Sequence, residues 1–180
     1  MPHVLERASS ARAKCRGCGG KIAAGAWRFG ESLPNPFDEK GGEMTHWFHV
    51  ACAAYRRPEP FLDAMKAAPD IAAQLDDRDD LEREAALGAA HHRLPRVNVA
   101  ERASTGRATC RACRTTIDKD TWRISLVFYE DGRFSPSGFI HLGCVAAYIE
   151  TTAIVPRVRH FTPALTADDL AEIERGLLPA

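Results

Sequence analysis

The sequence has no excess of charge. Over its 180 residues 24 lysines and arginines balance 24 aspartates and glutamates, so composition alone gives no argument for a polyanionic partner. It has no apolar run long enough to cross a bilayer. Its opening residues, MPHVLERASS, are charged at once and lack the hydrophobic stretch of a secretory leader. A soluble intracellular protein is the expectation. There is also no glycine-rich phosphate loop and no G-x-S-x-G elbow. With no catalytic constellation in view, the expectation is a chain that is not itself an enzyme. Cysteine is scarce, six in all. In a reducing compartment six cysteines point to metal or catalysis before disulfides.

What is present is a phrase written twice. AKCRGCGGKIAAGAWRFG, residues 13–30, returns as ATCRACRTTIDKDTWRIS, residues 108–125. Laying Cys15 on Cys110 sets an offset of 95. Glu6-Arg7-Ala8-Ser9 then falls on Glu101-Arg102-Ala103-Ser104, and Trp27-Arg28 on Trp122-Arg123. A deletion of three residues in the second copy brings His49-x-x-Cys52 onto His141-x-x-Cys144. Asp79-Asp80-Leu81 echoes Asp168-Asp169-Leu170. A repeat this dense is a duplication. Charge follows it. Residues 1–60 carry 9 basic and 6 acidic groups and residues 96–160 carry 10 and 6, whereas residues 61–95 carry 4 and 8 and residues 161–180 carry 1 and 4. Basic cysteine-bearing blocks thus alternate with acidic ones.

Each copy supplies three cysteines and a histidine: Cys15, Cys18, His49 and Cys52, then Cys110, Cys113, His141 and Cys144. The spacings are C-x2-C-x30-H-x2-C and C-x2-C-x27-H-x2-C. Two residues between cysteines let a tight knuckle aim both sulfurs at one ion. In H-x2-C at a helix start, residues three apart share a face. Four nitrogen and sulfur donors close a tetrahedral zinc shell and leave no position for a substrate, so two structural zinc ions are expected. Three cysteines per copy cannot make two disulfides. Modules this small bury little core, and the metal should supply much of their folding energy.

Period-two alternation from Trp122 through Ile124, Leu126 and Phe128 reads as a strand with those residues inward and Arg123 outward. Asp131-Gly132 reads as a hairpin turn. In the first copy Pro34-Asn35-Pro36 and Gly41-Gly42 mark a loop. The stretches after each H-x2-C are helix-friendly, and Thr166 with Asp169 reads as a helix N-cap with Gly176 near the stop. Trp27, Trp47 and Trp122 read as core. The fold class expected is a pair of small α+β zinc-binding modules, each a short antiparallel sheet plus helix, each followed by a helical segment. The boundaries are residues 1–60 for the first module, 61–98 for an acidic helical linker, 99–155 for the second module and 156–180 for an acidic C-terminal helix.

The pattern A-S-x-x-R-A-x-C-R-x-C … W-R … H-W-F-H-x-x-C resembles the zinc finger of poly(ADP-ribose) polymerases, which also occurs in a nuclear DNA ligase and in small stand-alone proteins. The match covers roughly residues 4–58 and 99–149. Arginines three before and thirteen after the first cysteine recur in both copies. The resemblance implies binding of DNA strand breaks: nicks, gaps and ends. It implies phosphate contacts from Arg12, Arg28, Arg107 and Arg123. It also implies apolar side chains that stack on bases exposed at the break. Phe37 and Met44 are the candidates in the first finger, Tyr129 and Phe134 in the second. Structure-specific, sequence-neutral recognition suits a DNA damage sensor or repair accessory, recruiting a ligase, polymerase or nuclease. One finger is expected on each side of a nick, with the duplex bent between them.

Two other readings stay open at this point, a zinc-dependent protein-interaction adaptor using the acidic helices and a single-stranded nucleic-acid binder. The Ala- and Arg-rich composition points to a GC-rich bacterial genome. That would put the protein in the cytoplasm with the nucleoid; a eukaryotic source would put it in the nucleus.

Overall fold

The computed structural model describes residues 3–35, 38 and 41–178. The chain divides into two compact units between Ala90 and His91. Each unit is built on one three-stranded antiparallel sheet with helices, two small α+β modules as the sequence suggests.

In the first unit the strands are β1 (Val4–Arg7), β2 (Trp27–Pro34) and β3 (Glu43–His49). Register places Leu5 beside Phe29 and Phe29 beside Phe48, one inward row across the sheet. All three are buried. After His49 the chain turns directly into α1 (Val50–Arg56). Pro58 cannot continue that helix and instead opens α2 (Pro58–Ala67), where its missing N–H costs nothing. The buried residues of α2, Pro58, Phe61, Ala64 and Met65, recur at helical spacing and form one face. Phe61 meets Phe29 edge to face, ring centroids 5.8 Å apart. Pro69 opens the short α3 (Pro69–Ala72), and α4 (Arg78–Ala90) packs on α1 and α2. Residues 58–90, acidic as a group, therefore cover the first sheet and belong to its core.

The second unit repeats the sheet with β4 (Val97–Arg102), β5 (Trp122–Glu130) and β6 (Arg133–His141). Its inward row is Ala100, Ile124 and Ile140. Asp131 and Gly132 make the hairpin turn with φ of 49° and 74°, the left-handed pair that a two-residue turn requires. A single 3-10 turn, Leu142–Cys144, precedes α5 (Val145–Ile149). The sheet is covered by α6 (Val155–Phe161), where Ile154 and Val158 are fully buried and the Thr162 hydroxyl accepts the Ala100 N–H at 3.3 Å. Last comes α7 (Ala167–Leu177), started by a complete Thr166–Asp169 capping box. Gly176 lies in its last turn, where a Cβ would fall 2.6 Å from the Leu142 side chain.

Three readings of side-chain direction need correction. Arg123 lies on the sheet face opposite Ile124 but is buried, because Glu101 and Phe139 cover it. Phe128 does not continue the inward row. A register shift between Leu126 and Val127 turns the strand, leaving Phe128 40% exposed with Arg96 over its ring. Trp47 sits opposite Gly30, on the face away from Phe29 and Phe48, and supports Arg28 rather than the core.

Candidate metal centres and nucleic-acid face

Each pair of cysteines hangs from a short reverse turn. In the first unit the Cys15 N–H donates to the Gly20 carbonyl and the Gly19 N–H to the Cys15 carbonyl, both at 2.8 Å. In the second, the Cys110 N–H donates to Thr115 and the Arg114 N–H to Cys110. The sheet edge supplies the other two donors. His49 and His141 end β3 and β6, and Cys52 and Cys144 follow three residues on, in the first helical turn.

In each cluster the four ligand atoms lie within 4.8 Å of one another. The histidine presents Nδ1, at 3.4 Å from Cys18 and 3.8 Å from Cys52 in the first site and at 3.4 Å from Cys113 and 3.8 Å from Cys144 in the second. Its Nε2–H donates to the Lys21 carbonyl at 3.1 Å, and in the second site to the Thr116 carbonyl at 3.2 Å. That bond fixes the tautomer and leaves Nδ1 to bind metal. The protonation preferences of the thiols say why a cation belongs there. A hydrogen bond from Cys52 holds Cys15 down at about 5, while the same contact and burial push Cys52 far up. The Thr115 hydroxyl holds Cys113 at about 6, while burial pushes Cys144 up to about 12. One thiolate in such a cluster forces its neighbours to keep their protons. A dication at the centre allows all three to ionise. The donor set, three thiolates and an imidazole with no open position, fits structural zinc in both units.

Around each knuckle the arginines fall into two kinds. Arg12 and Arg107, three residues before the first cysteine, are exposed and make no hydrogen bond or ion pair among the described residues. Arg28 and Arg123 are held. Nε and Nη2 of Arg28 donate to Glu6 at 3.0 and 2.5 Å, and its guanidinium lies 3.6 Å from the Trp47 ring centroid. Nε and Nη2 of Arg123 donate to Glu101 at 2.9 and 2.5 Å, over Phe139 at 3.6 Å. The bonded edge of each guanidinium is Nε and Nη2, so a further anion would meet Nη1. Sequence reasoning missed the carboxylate and the aromatic partner. The signal was available, because Glu6 and Glu101 share the offset of 95 and Trp47 and Phe139 precede their ligand histidines by two.

The apolar candidates are less uniform. Met44 is half-buried on β3, opposite Leu33 beside the loop that joins β2 to β3. Tyr129 and Phe134 face one another beside the Asp131-Gly132 turn, with ring centroids 4.6 Å apart. Phe37 lies outside the described residues.

Residues 6–87 match the family described as "Poly(ADP-ribose) polymerase and DNA-Ligase Zn-finger region". The chain is 26% identical over 201 residues to a poly [ADP-ribose] polymerase of Sarcophaga peregrina, covering 98% of this chain and 20% of that protein. It is 29% identical over 138 residues to poly [ADP-ribose] polymerase 1 of Gallus gallus, covering 69% of this chain and 13% of that protein. It is 26% identical over 173 residues to the polynucleotide 3'-phosphatase ZDP of Arabidopsis thaliana, covering 80% of this chain and 24% of that protein. The chain thus spans a quarter or less of the length of these relatives. Among the described residues no helix is long and apolar enough to cross a membrane.

Proposed function

Since the chain carries a zinc finger of the poly(ADP-ribose) polymerase and DNA-ligase type, with a second copy of its metal site, we propose that it binds DNA at strand breaks, without reading sequence, as a sensor or accessory in repair. The observation that carries this reading is the pair Arg12 and Arg107. Two exposed guanidinium groups stand at the same distance from the first zinc ligand in both units, without a partner among the described residues. Cations so placed hold phosphates and set position without reading bases. Arg28 and Arg123, locked between a carboxylate and a ring, orient the edge of the site and offer Nη1 to a second phosphate.

An interrupted duplex differs from an intact one in exposing the face of a base pair. Half-buried apolar groups at the hairpin ends, Met44 in the first unit and Tyr129 with Phe134 in the second, are the side chains available to stack there, each worth about 1–3 kcal/mol per base. The relative named as a polynucleotide 3'-phosphatase acts, by its name, at a polynucleotide 3' phosphate, and this chain would share the step of locating such an end.

The test is binding of the zinc-loaded protein to nicked, gapped, blunt-ended and plain single-stranded DNA at two salt concentrations. Replacing Arg12 and Arg107 together by alanine should lower the salt slope by about two, one per lost phosphate contact. Tighter binding to plain single strands than to nicked duplex would contradict the proposal, and so would a salt slope that the double variant leaves unchanged.

A further inference from the structure

The duplication sets a second pair of equivalent groups side by side for comparison. In the second unit Arg102 stacks over Trp122 at 4.6 Å and donates Nη1 to the Asp120 carbonyl at 3.0 Å. In the first unit Arg7 stacks over Trp27 at 4.4 Å and donates Nη1 to the Gly25 carbonyl at 2.9 Å. The two edges are the same construction. They differ in what completes them. Glu172 of α7 places Oε2 at 2.8 Å from the Trp122 indole Nε1 and at 2.5 Å from Nη2 of Arg102. One carboxylate oxygen satisfies both donors.

Among the described residues the first unit has no such oxygen. The Trp27 Nε1 is buried and without a hydrogen-bond partner, and Nη2 of Arg7 makes no bond among the described residues. The position of α4 that aligns with Glu172 does not supply the missing group. Aligning Asp79-Asp80-Leu81 with Asp168-Asp169-Leu170 sets Arg83 on Glu172. The carboxylate is replaced by a cation, which turns to Asp80 at 2.8 Å and is 67% exposed. A buried indole N–H with no acceptor is costly, and an arginine beside it selects an acceptor that is an anion.

We propose that the Arg7–Trp27 edge of the first unit is a binding site for a backbone phosphate of DNA, unfilled there and filled in the second unit by Glu172, whose carboxylate takes the phosphate's place. The inference rests on the DNA-binding reading and sharpens it. The two units then grip unequally: the first has one more phosphate contact, and the second is held back until α7 lets go of Arg102.

The indole N–H signals of the ¹⁵N-labelled full chain test this. They are followed during titration with inorganic phosphate and then with nicked duplex. The Trp27 signal should move with both ligands while the Trp122 signal holds still, and Glu172→Ala should make Trp122 respond as well. Arg7→Gln should abolish the Trp27 response and lower the salt slope of duplex binding by about one. A Trp27 signal that ignores duplex DNA overturns the proposal, whatever preference the protein shows for nicks. A Trp27 response to sealed and nicked duplex alike keeps the phosphate site and removes only the preference for breaks. Movement driven by protein concentration alone, without added anion, would identify the occupant as a carboxylate of a second copy and overturn the proposal.

Discussion

At the turn that closes each knuckle the first unit has Gly19 at φ 75° and the second has Arg114 at φ 64°. At the next turn, where an N–H reaches back to the carbonyl of Ala8 or Ala103, the first unit has Gly25 at φ 79° and the second Asp120 at φ 62°. One backbone serves both, and only the first unit uses the residue that tolerates it without cost. The inward sheet position that is Glu31 in the first unit is Leu126 in the second, and His46 beside it is matched by Gly138. The first sheet thus buries a carboxylate, held through both oxygens by Arg57 at the start of α2, where the second buries a leucine. A metal cluster that fixes four positions lets the remainder of a small module drift widely and keep its shape. That is why the fold survives 95 residues later with a different covering helix.

The largest effect expected tests what the two units share. Stripping zinc with a strong chelator should unfold both, since the binding free energy of a structural zinc, about 10 kcal/mol or more, is also folding energy. Circular dichroism before and after chelation and re-addition of metal checks it. Cys15→Ser should abolish the dispersed NMR signals of the first unit and spare those of the second, and Cys110→Ser should do the reverse.

The next effect separates the units. Arg57→Ala leaves the Glu31 carboxylate, 1% exposed, without its bidentate partner. A loss of about 3–5 kcal/mol is expected in a denaturant titration. Changing Glu31 to leucine and Arg57 to methionine together copies the second unit's apolar solution and should recover most of that loss.

Smaller changes sharpen the comparison at the knuckles. Arg114→Gly should stabilise the second unit by about 1 kcal/mol, and Gly19→Ala should destabilise the first by a similar amount, because each moves the cost of a left-handed residue across the pair. Thermal melts of the zinc-loaded variants decide it.

The smallest effect is a contribution to pH dependence confined to the first unit. Burial, then the nearby Arg16, lowers the pKa of His46 below its ordinary 6.5. A histidine kept neutral by the fold contributes stability that is complete above 6.5 and is lost as pH falls below it. His46→Asn should flatten that limb of the first unit's stability curve. The second unit, with glycine there, should lack this contribution and keep only the acid limb set by its metal ligands.

Much of this was legible in the sequence and the reasons are local. Ligand spacing announced both metal sites, since a C-x2-C knuckle and an H-x2-C helix start are short-range geometry. Asp131-Gly132 and Thr166–Asp169 were readable because a turn and a cap depend on residues within four positions. What escaped depends on contacts made at a distance. Arg123 faces away from the core as alternation demands, yet Glu101 and Phe139 bury it from neighbouring strands. The bulge lies on β6, where Pro136-Ser137-Gly138 faces Leu126 and Val127 and Gly138 takes φ 103°; its proline and glycine are a signal that the alternation of β5 alone does not carry. Glu172 reaches Trp122 across 50 residues, and nothing in the charge of α7 alone distinguishes a solvated acid from one that closes a site.

The most direct measurement compares one DNA molecule with itself. A circular duplex carrying a single nick is bound by the zinc-loaded protein, sealed with ligase, and measured again in the same buffer. If these fingers locate interruptions, affinity falls by about tenfold or more on sealing, the loss of one to two stacked bases. Unchanged affinity for the sealed circle would contradict the account, because every phosphate is still present and only the exposed base faces have gone.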